Sequence, residues 1–264
     1  MSSEIFFFLF ILCGGVTGLL AGLLGIGGGV ITVPAIYYIF YYSGFLQTEV
    51  MQVAVSTSLA ATFVTSSVST IVQLQKKAVH FSLIKRLIPG LVLGCVLGAL
   101  GAQYFPSGML RILFGGMAIL LGIYFFFPRL PIPTFDSQPN ATLSLFGILI
   151  GTLSSLLGIG GGLFTVPVLI GYSIPMKNAV ATSSASTLVT ALIGSMAYLT
   201  IAWHQPEPPN TFGYIEIPTF LCIAIPSIFT TPLGVKLSHS LDTDRIKRIF
   251  AICLGVTGLS MLFL

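Results

Sequence analysis

The stretch Leu23-Leu24-Gly25-Ile26-Gly27-Gly28-Gly29 decides how this chain is read, because it returns as Leu156-Leu157-Gly158-Ile159-Gly160-Gly161-Gly162. Each copy closes a long apolar run and leads to a Thr-Val-Pro triplet, Thr32-Val33-Pro34 and Thr165-Val166-Pro167. A second match follows in the same order. Gln52-Val53-Ala54-Val55-Ser56-Thr57-Ser58 pairs with Asn178-Ala179-Val180-Ala181-Thr182-Ser183-Ser184. Two matched motifs in one order indicate an internal duplication. The repeats are residues 1–127 and 142–264, and the linker 128–141 carries Pro128, Pro131, Pro133 and Pro139, which break any helix there.

The apolar runs set the class. Of 264 residues, 55% are hydrophobic and 7% charged, whereas a soluble domain carries about 25% charged residues. Runs such as Phe81–Leu100 and Ile246–Leu264 are long enough to cross a bilayer core of about 30 Å. They are continuous rather than alternating, which excludes a barrel and leaves helices. The fold class is therefore an all-α integral membrane protein. The net charge of +4 is small and dispersed, which points to loop charge that orients the chain in a bilayer and not to a nucleic-acid partner. Cys13, Cys95, Cys222 and Cys253 stand singly in apolar segments, so buried thiols are expected. Residues 1–12 resemble a signal peptide, but Glu4 replaces a basic n-region and the apolar run continues to Leu24, so a retained first helix is expected.

Each repeat follows one plan: an apolar helix into the glycines (Ile5–Leu24; Leu143–Leu157), a short helix out (Val30–Tyr42; Leu163–Tyr172) and three long helices. The long ones are Glu49–Leu74, Ser82–Tyr104 and Met109–Phe127, then Met176–Trp203, Tyr214–Leu237 and Thr243–Leu264. Basic residues test this plan, because they gather in cytoplasmic loops. One cluster is Lys76, Lys77, Lys85 and Arg86; the other is Lys236, Arg245, Lys247 and Arg248, one connection later in its repeat. With eight simple crossings the clusters fall on opposite sides. If each short helix returns the chain, as a re-entrant loop or a second crossing, both clusters become cytoplasmic, with Arg129 and Lys177, and Arg111 stays outside. That count makes the repeats inverted-topology repeats, with both termini outside. Inverted repeats are a recurrent plan of secondary transporters, with the substrate near mid-membrane at their interface.

The motifs carry chemistry suited to an anion. Successive glycines unwind a helix, and unwound backbone at membrane depth is tolerated where it meets protein or a cavity. The helix leaving each break starts with free N–H groups at its positive dipole end. Gly25, Gly27, Gly28 and Gly29 with Gly158, Gly160, Gly161 and Gly162 are therefore candidate substrate-binding backbone, and Pro34 and Pro167 are expected to support the breaks. Close helix packing is the competing reading, and it is the one adopted for Gly14-x3-Gly18-x3-Gly22 and Gly90-x3-Gly94-x3-Gly98. The hydroxyls Ser56, Thr57, Ser58, Thr182, Ser183 and Ser184, with the amides Gln52 and Asn178, are candidate donors to an anion. Back-bonding to helix carbonyls is their alternative. The hydroxyls at Thr65–Thr70 have no matched copy and weigh less.

Glu49 and Glu216 lie at helix starts, where the dipole alone explains a carboxylate; a coupling proton is their other reading. His80, His204 and His239 are placed in connections without metal-ligand spacing. No nucleophile–base pair, metal triad or nucleotide loop occurs, so neither an enzyme nor a cofactor is expected.

The duplicated L-L-G-I-G-G-G-x-x-x-x-P segments, each followed by an A-x-[ST]-[ST]-S cluster, resemble the TauE/SafE sulfite exporter family over essentially the whole chain. The resemblance implies transport of sulfite, sulfoacetate or related sulfonates and small carboxylates, often as export, by a multi-pass protein of the inner membrane. The family motif maps onto the two glycine breaks, Pro34, Pro167 and the two hydroxyl clusters. The insertion around Tyr37–Phe45 departs from perfect duplication. The expected function is an alternating-access transporter whose partners are a small anion and the bilayer. An anion channel and a non-transporting assembly subunit are the alternatives, and homo-oligomer formation stays open.

Overall fold

The computed structural model describes residues 3–44, 49–127, 140–202 and 211–263. In the first repeat these form α1 (Ser3–Leu24), α2 (Gly29–Ser43), α3 (Val50–Gln75), α4 (Phe81–Ala102) and α5 (Ser107–Phe126). In the second they form α6 (Asn140–Leu157), α7 (Gly162–Gly171), α8 (Met176–Ala202), the strands β1 (Thr211–Phe212) and β2 (Ile215–Glu216), α9 (Ile217–Ser240) and α10 (Thr243–Phe263). Seven of these helices are long and apolar enough to cross a membrane, and the protein is an all-α, multi-pass membrane protein. Three readings change. A two-residue antiparallel hairpin, Thr211 opposite Glu216, precedes α9, where a helix was expected from Tyr214. His239 lies in the last turn of α9 rather than in a connection. α6 begins at Asn140, inside the expected linker; the rest of that linker, Trp203 and His204 lie outside the described residues.

The repeats interlock. α1 packs along α9, and its counterpart α6 packs along α4. Small residues make this possible, since dispersion at close backbone approach, not water exclusion, drives helix pairing in lipid. A methyl group on Gly14 would stand 2.5 Å from the Ile223 carbonyl oxygen, and one on Gly22 2.2 Å from that of Thr231. Gly90, Gly94 and Gly98 meet Ser144, Ile148 and Thr152 in the same way. Both Gly-x3-Gly ladders are thus packing seams, as expected.

Two pairs of corresponding helices, α5 with α10 and α3 with α8, pack antiparallel. In the α5–α10 pair, Gly115 faces Gly258 while Gly122 faces Leu254. In the α3–α8 pair, Leu59 touches Gly194 and Ser69 hydrogen-bonds Ser184. The insertion around Tyr37 lengthens α2 to 15 residues against 10 in α7. It ties that extension to α10 through a hydrogen bond from the Tyr38 hydroxyl to the Ser260 carbonyl. Cys95 is buried and the other three cysteines are half-buried, all as free thiols.

Candidate functional site

The two glycine breaks fold alike. Gly25, Gly27 and Gly28 have φ of +70°, +76° and +87°, and Gly158, Gly160 and Gly161 have +72°, +76° and +64°. Side chains rarely tolerate this left-handed region, so the pattern needs glycine at these positions. The turn sends the chain back beside itself: Gly28 lies against Thr17, and the Phe40 ring meets Phe10 at 6.0 Å. The returning helices are short of a crossing, at about 22 and 15 Å for 15 and 10 residues. Thr32 and Thr165, from the Thr-Val-Pro triplets, donate to the Gly28 and Gly161 carbonyls at 2.8 and 2.9 Å. Pro34 and Pro167 lie within α2 and α7, one turn past the breaks.

The hairpin tips meet. Gly29 packs on the Gly158 carbonyl and on Ile159, and Gly162 packs on the Gly25 carbonyl and on Ile26. Two helix N-termini from opposite repeats therefore converge at the middle of α3 and α8, where Thr62 and Thr187 both flank Gly27 and Gly160. Among the described residues, the amides of Gly28, Gly29, Val30, Gly161 and Leu163 make no backbone–backbone hydrogen bond. They stand at or just before the starts of α2 and α7, where a helix leaves its first N–H groups without an intrahelical partner.

Two of the six cluster hydroxyls hold the breaks in shape. Ser58 donates to the Gly158 carbonyl at 3.0 Å, and Ser183 to the Gly25 carbonyl at 3.1 Å. Ser184 donates to its own helix at Val180. Ser56 alone in the clusters is a buried hydroxyl without a partner among the described residues. Thr57 and Thr182 accept from the opposite repeat. The Glu216 N–H donates to Thr57 and the His80 N–H donates to Thr182, both at 3.0 Å. Glu216 and His80 are the N-caps of the corresponding helices α9 and α4, so the two bonds form a matched pair at opposite ends of the bundle. The amides are not at the breaks: Gln52 bonds Phe105 and Ser107, and Asn178 bonds Ala78 and His80.

Hydroxyls outside the matched clusters also reach the breaks. Thr62 and Thr65 donate to the Gly27 carbonyl at 3.0 and 2.7 Å, so the hydroxyls beyond Ser58 are as close to the break as the matched ones. Ser58, Thr62, Thr65 and Ser69 recur every three or four residues along one face, a signal that pairwise matching of the repeats passes over. At the basic end of the bundle, His239 donates Nε2–H to Gln73 at 2.8 Å and Lys177 donates to the His239 carbonyl at 2.8 Å. Among the described residues, the Gln73 amide nitrogen and the Thr70 hydroxyl, both buried, have no partner there.

The carboxylates take different roles. The Glu216 carboxylate accepts from Thr219 N–H at 2.6 Å and caps α9, as the helix-start reading expected. Glu49 makes no cap bond and instead accepts from the Tyr214 hydroxyl. Burial, then the Glu49 charge and hydrogen bond, push the Tyr214 phenol up to about 12. A raised phenol contributes stability in full below its unfolded value near 10 and loses it as pH rises through the folded value. The thermal midpoint is therefore expected to fall between about pH 10 and pH 12 by an amount that Tyr214→Phe removes. An unchanged pH profile in that variant would disconnect the pair.

Paired helix breaks meeting tip to tip within interlocked apolar helices define a multi-pass membrane protein. The family profile of the sulfite exporter TauE/SafE family matches residues 10–261, so the chain belongs to this family of membrane transporters, which are not enzymes. It is similar to a probable membrane transporter protein of Methanocaldococcus jannaschii, with 32% identity over 96% of this chain and 94% of the relative. A probable membrane transporter protein of Haemophilus influenzae shows 29% identity over 97% and 98% of the two chains. One of Bacillus subtilis shows 23% identity over 97% of each.

Proposed function

We propose that this protein is a secondary transporter of the cytoplasmic membrane that carries a small sulfur oxyanion, of the sulfite or sulfonate class, by alternating access between two inverted repeats. The observation that carries the reading is the set of free amides on Gly28, Gly29, Val30, Gly161 and Leu163 at two facing helix starts. Amide donors and helix dipoles bind an anion without a buried cation, so it is held and released easily. Ser56 supplies a further donor. The opposed directions of α3 and α8, and of α5 and α10, support repeats inverted across the bilayer, with α1–α2 and α6–α7 as re-entrant hairpins. The basic residues around Lys76, Lys177, Lys236 and Arg245 then face the cytoplasm. The Thr182–His80 and Thr57–Glu216 bonds are latches closing the cytoplasmic and external paths. Glu216 is the carboxylate for a coupling proton, since it is 5% exposed and sits on the external latch.

Proteoliposome flux tests this reading with sulfite, thiosulfate, sulfoacetate and a carboxylate control, with and without a pH gradient. Saturable flux of a sulfur oxyanion, driven by the gradient and weakened in Glu216→Gln, is expected. Non-saturating flux would make the protein a channel, and no flux of any of these anions would overturn the transporter reading.

A further inference from the structure

The outer face of the α5–α10 pair carries two adjoining cavities outside the transport site. The first, of about 400 Å³, is lined among the described residues by Phe125, Phe126, Asp244, Lys247 and Arg248. The second, of about 250 Å³, continues along the same helices between Ile119, Gly122, Ile123, Phe126, Ala251 and Gly255, among others. Phe126 belongs to both. One is a cationic mouth at the end of the bundle that carries the other basic residues, and the other is an apolar groove running from it into the spanning part of the helices. The packed rings of Phe125 and Phe250, 4.3 Å apart, brace this end of the pair. Lys247 and Arg248 make no ion pair among the described residues, whereas Arg245 pairs with Asp242. Gly255 opens the groove, since a methyl group there would meet nothing within 4 Å.

We infer that this face binds an anionic phospholipid of the adjacent leaflet, with its phosphodiester between Lys247 and Arg248 and one acyl chain in the groove over Gly255. Charge complementarity selects this occupant. Two cations and Asp244 leave the mouth at +1, which a phosphatidylglycerol balances and a zwitterionic lipid does not. Asp244 accepts from the headgroup hydroxyls. Basic pockets between spanning helices on the cytoplasmic side hold such headgroups, and a groove floored by glycine admits a chain where a larger side chain would exclude it. A second copy of the protein would instead need to bring a carboxylate to this mouth.

The experiment uses the full chain, delipidated in detergent, and reads its thermal midpoint. Phosphatidylglycerol, phosphatidylcholine and the soluble glycerophosphoglycerol headgroup are added separately. Phosphatidylglycerol at saturating concentration is expected to raise the midpoint by about 5 °C more than phosphatidylcholine. Lys247→Gln with Arg248→Gln is expected to remove that increment, while the control Lys85→Gln with Arg86→Gln keeps it. Gly255→Leu, which fills the groove and favours the helix, is expected to cut the increment while leaving the midpoint without lipid unchanged or higher. An equal response to phosphatidylcholine, or an increment that survives the double variant, overturns the proposal. So does full stabilisation by the headgroup alone, which would show an anion site without a chain. A dimer that Gly255→Leu dissociates and lipid does not affect would assign the groove to a second copy.

Discussion

Replacing Gly162 with alanine is expected to abolish transport and to lower the thermal midpoint, although the residue lies in the first turn of a helix where alanine is ordinarily preferred. An added Cβ would stand 2.3 Å from the Gly25 carbonyl oxygen, 2.6 Å from the Thr187 hydroxyl and 2.7 Å from the Ile26 Cα. Two of these neighbours are backbone of the opposite hairpin tip, and that tip is itself held through its carbonyls by Ser183, Thr62 and Thr65. Neither side can yield without unlocking a break, so the cost is at or above the upper end of the roughly 1–3 kcal/mol of ordinary overpacking. Gly29→Ala, which aims a methyl group at the Gly158 carbonyl from 2.3 Å, is expected to behave alike. Separating the tips relieves both clashes at once, so the double variant should cost less than the sum of the singles. Gly15→Ala is the internal control, because nothing lies within 4 Å of its added carbon. It should leave flux intact and add about 0.5–1 kcal/mol. Thermal unfolding in detergent and proteoliposome flux read both effects. Wild-type stability and flux in Gly162→Ala would show that the tips do not touch.

How far the sequence foretold this geometry depends on which residues carry it. The glycine breaks were legible because a run of glycines has one cheap use at membrane depth, and duplication showed that both copies share it. The spanning helices were legible from continuous apolar length alone. The role of Ser58 and Ser183 was less so. Their sequence marks them as donors, but only the fold shows that the carbonyls of the opposite tip consume those donors and leave Ser56 and the amides free. Thr65 weighs less in the sequence, and Thr62 and Thr187 do not stand out there, because matching the repeats rewards equivalent positions, whereas a helix face is set by a spacing of three or four. The Gln73–His239–Lys177 chain joins three helices that are distant in sequence, and no local pattern announces such a meeting. The hairpin before α9 is four paired residues around Gly213 and Tyr214, too short for periodicity to register.

The same long-range character governs the second large effect, in which Thr57→Val and Thr182→Val should push the protein toward opposite sides. Valine keeps the shape of threonine and removes the oxygen, so Thr57→Val strips the Glu216 N–H of its acceptor and Thr182→Val strips that of His80. Both threonines are fully buried, at 0% exposure, and an unmatched buried donor costs about 1–3 kcal/mol. The closed conformation bears that cost, whereas a conformation open at that end restores water to the freed N–H. The opening equilibrium at one end should therefore shift by about 5- to 150-fold. A single cysteine at Ser56, in a chain whose four native cysteines are replaced, reports this shift through membrane-impermeant thiol reagents. Thr182→Val should speed labelling from the side of Lys76 and Lys177, and Thr57→Val from the side of Glu49. Because a ligand or mutation moves a two-state equilibrium only by its differential effect on the two states, the double variant should bring the ratio of the two rates back toward that of the parent. If both variants favour the same side, or neither changes the rates, Thr57 and Thr182 are structural tethers and the paths close elsewhere.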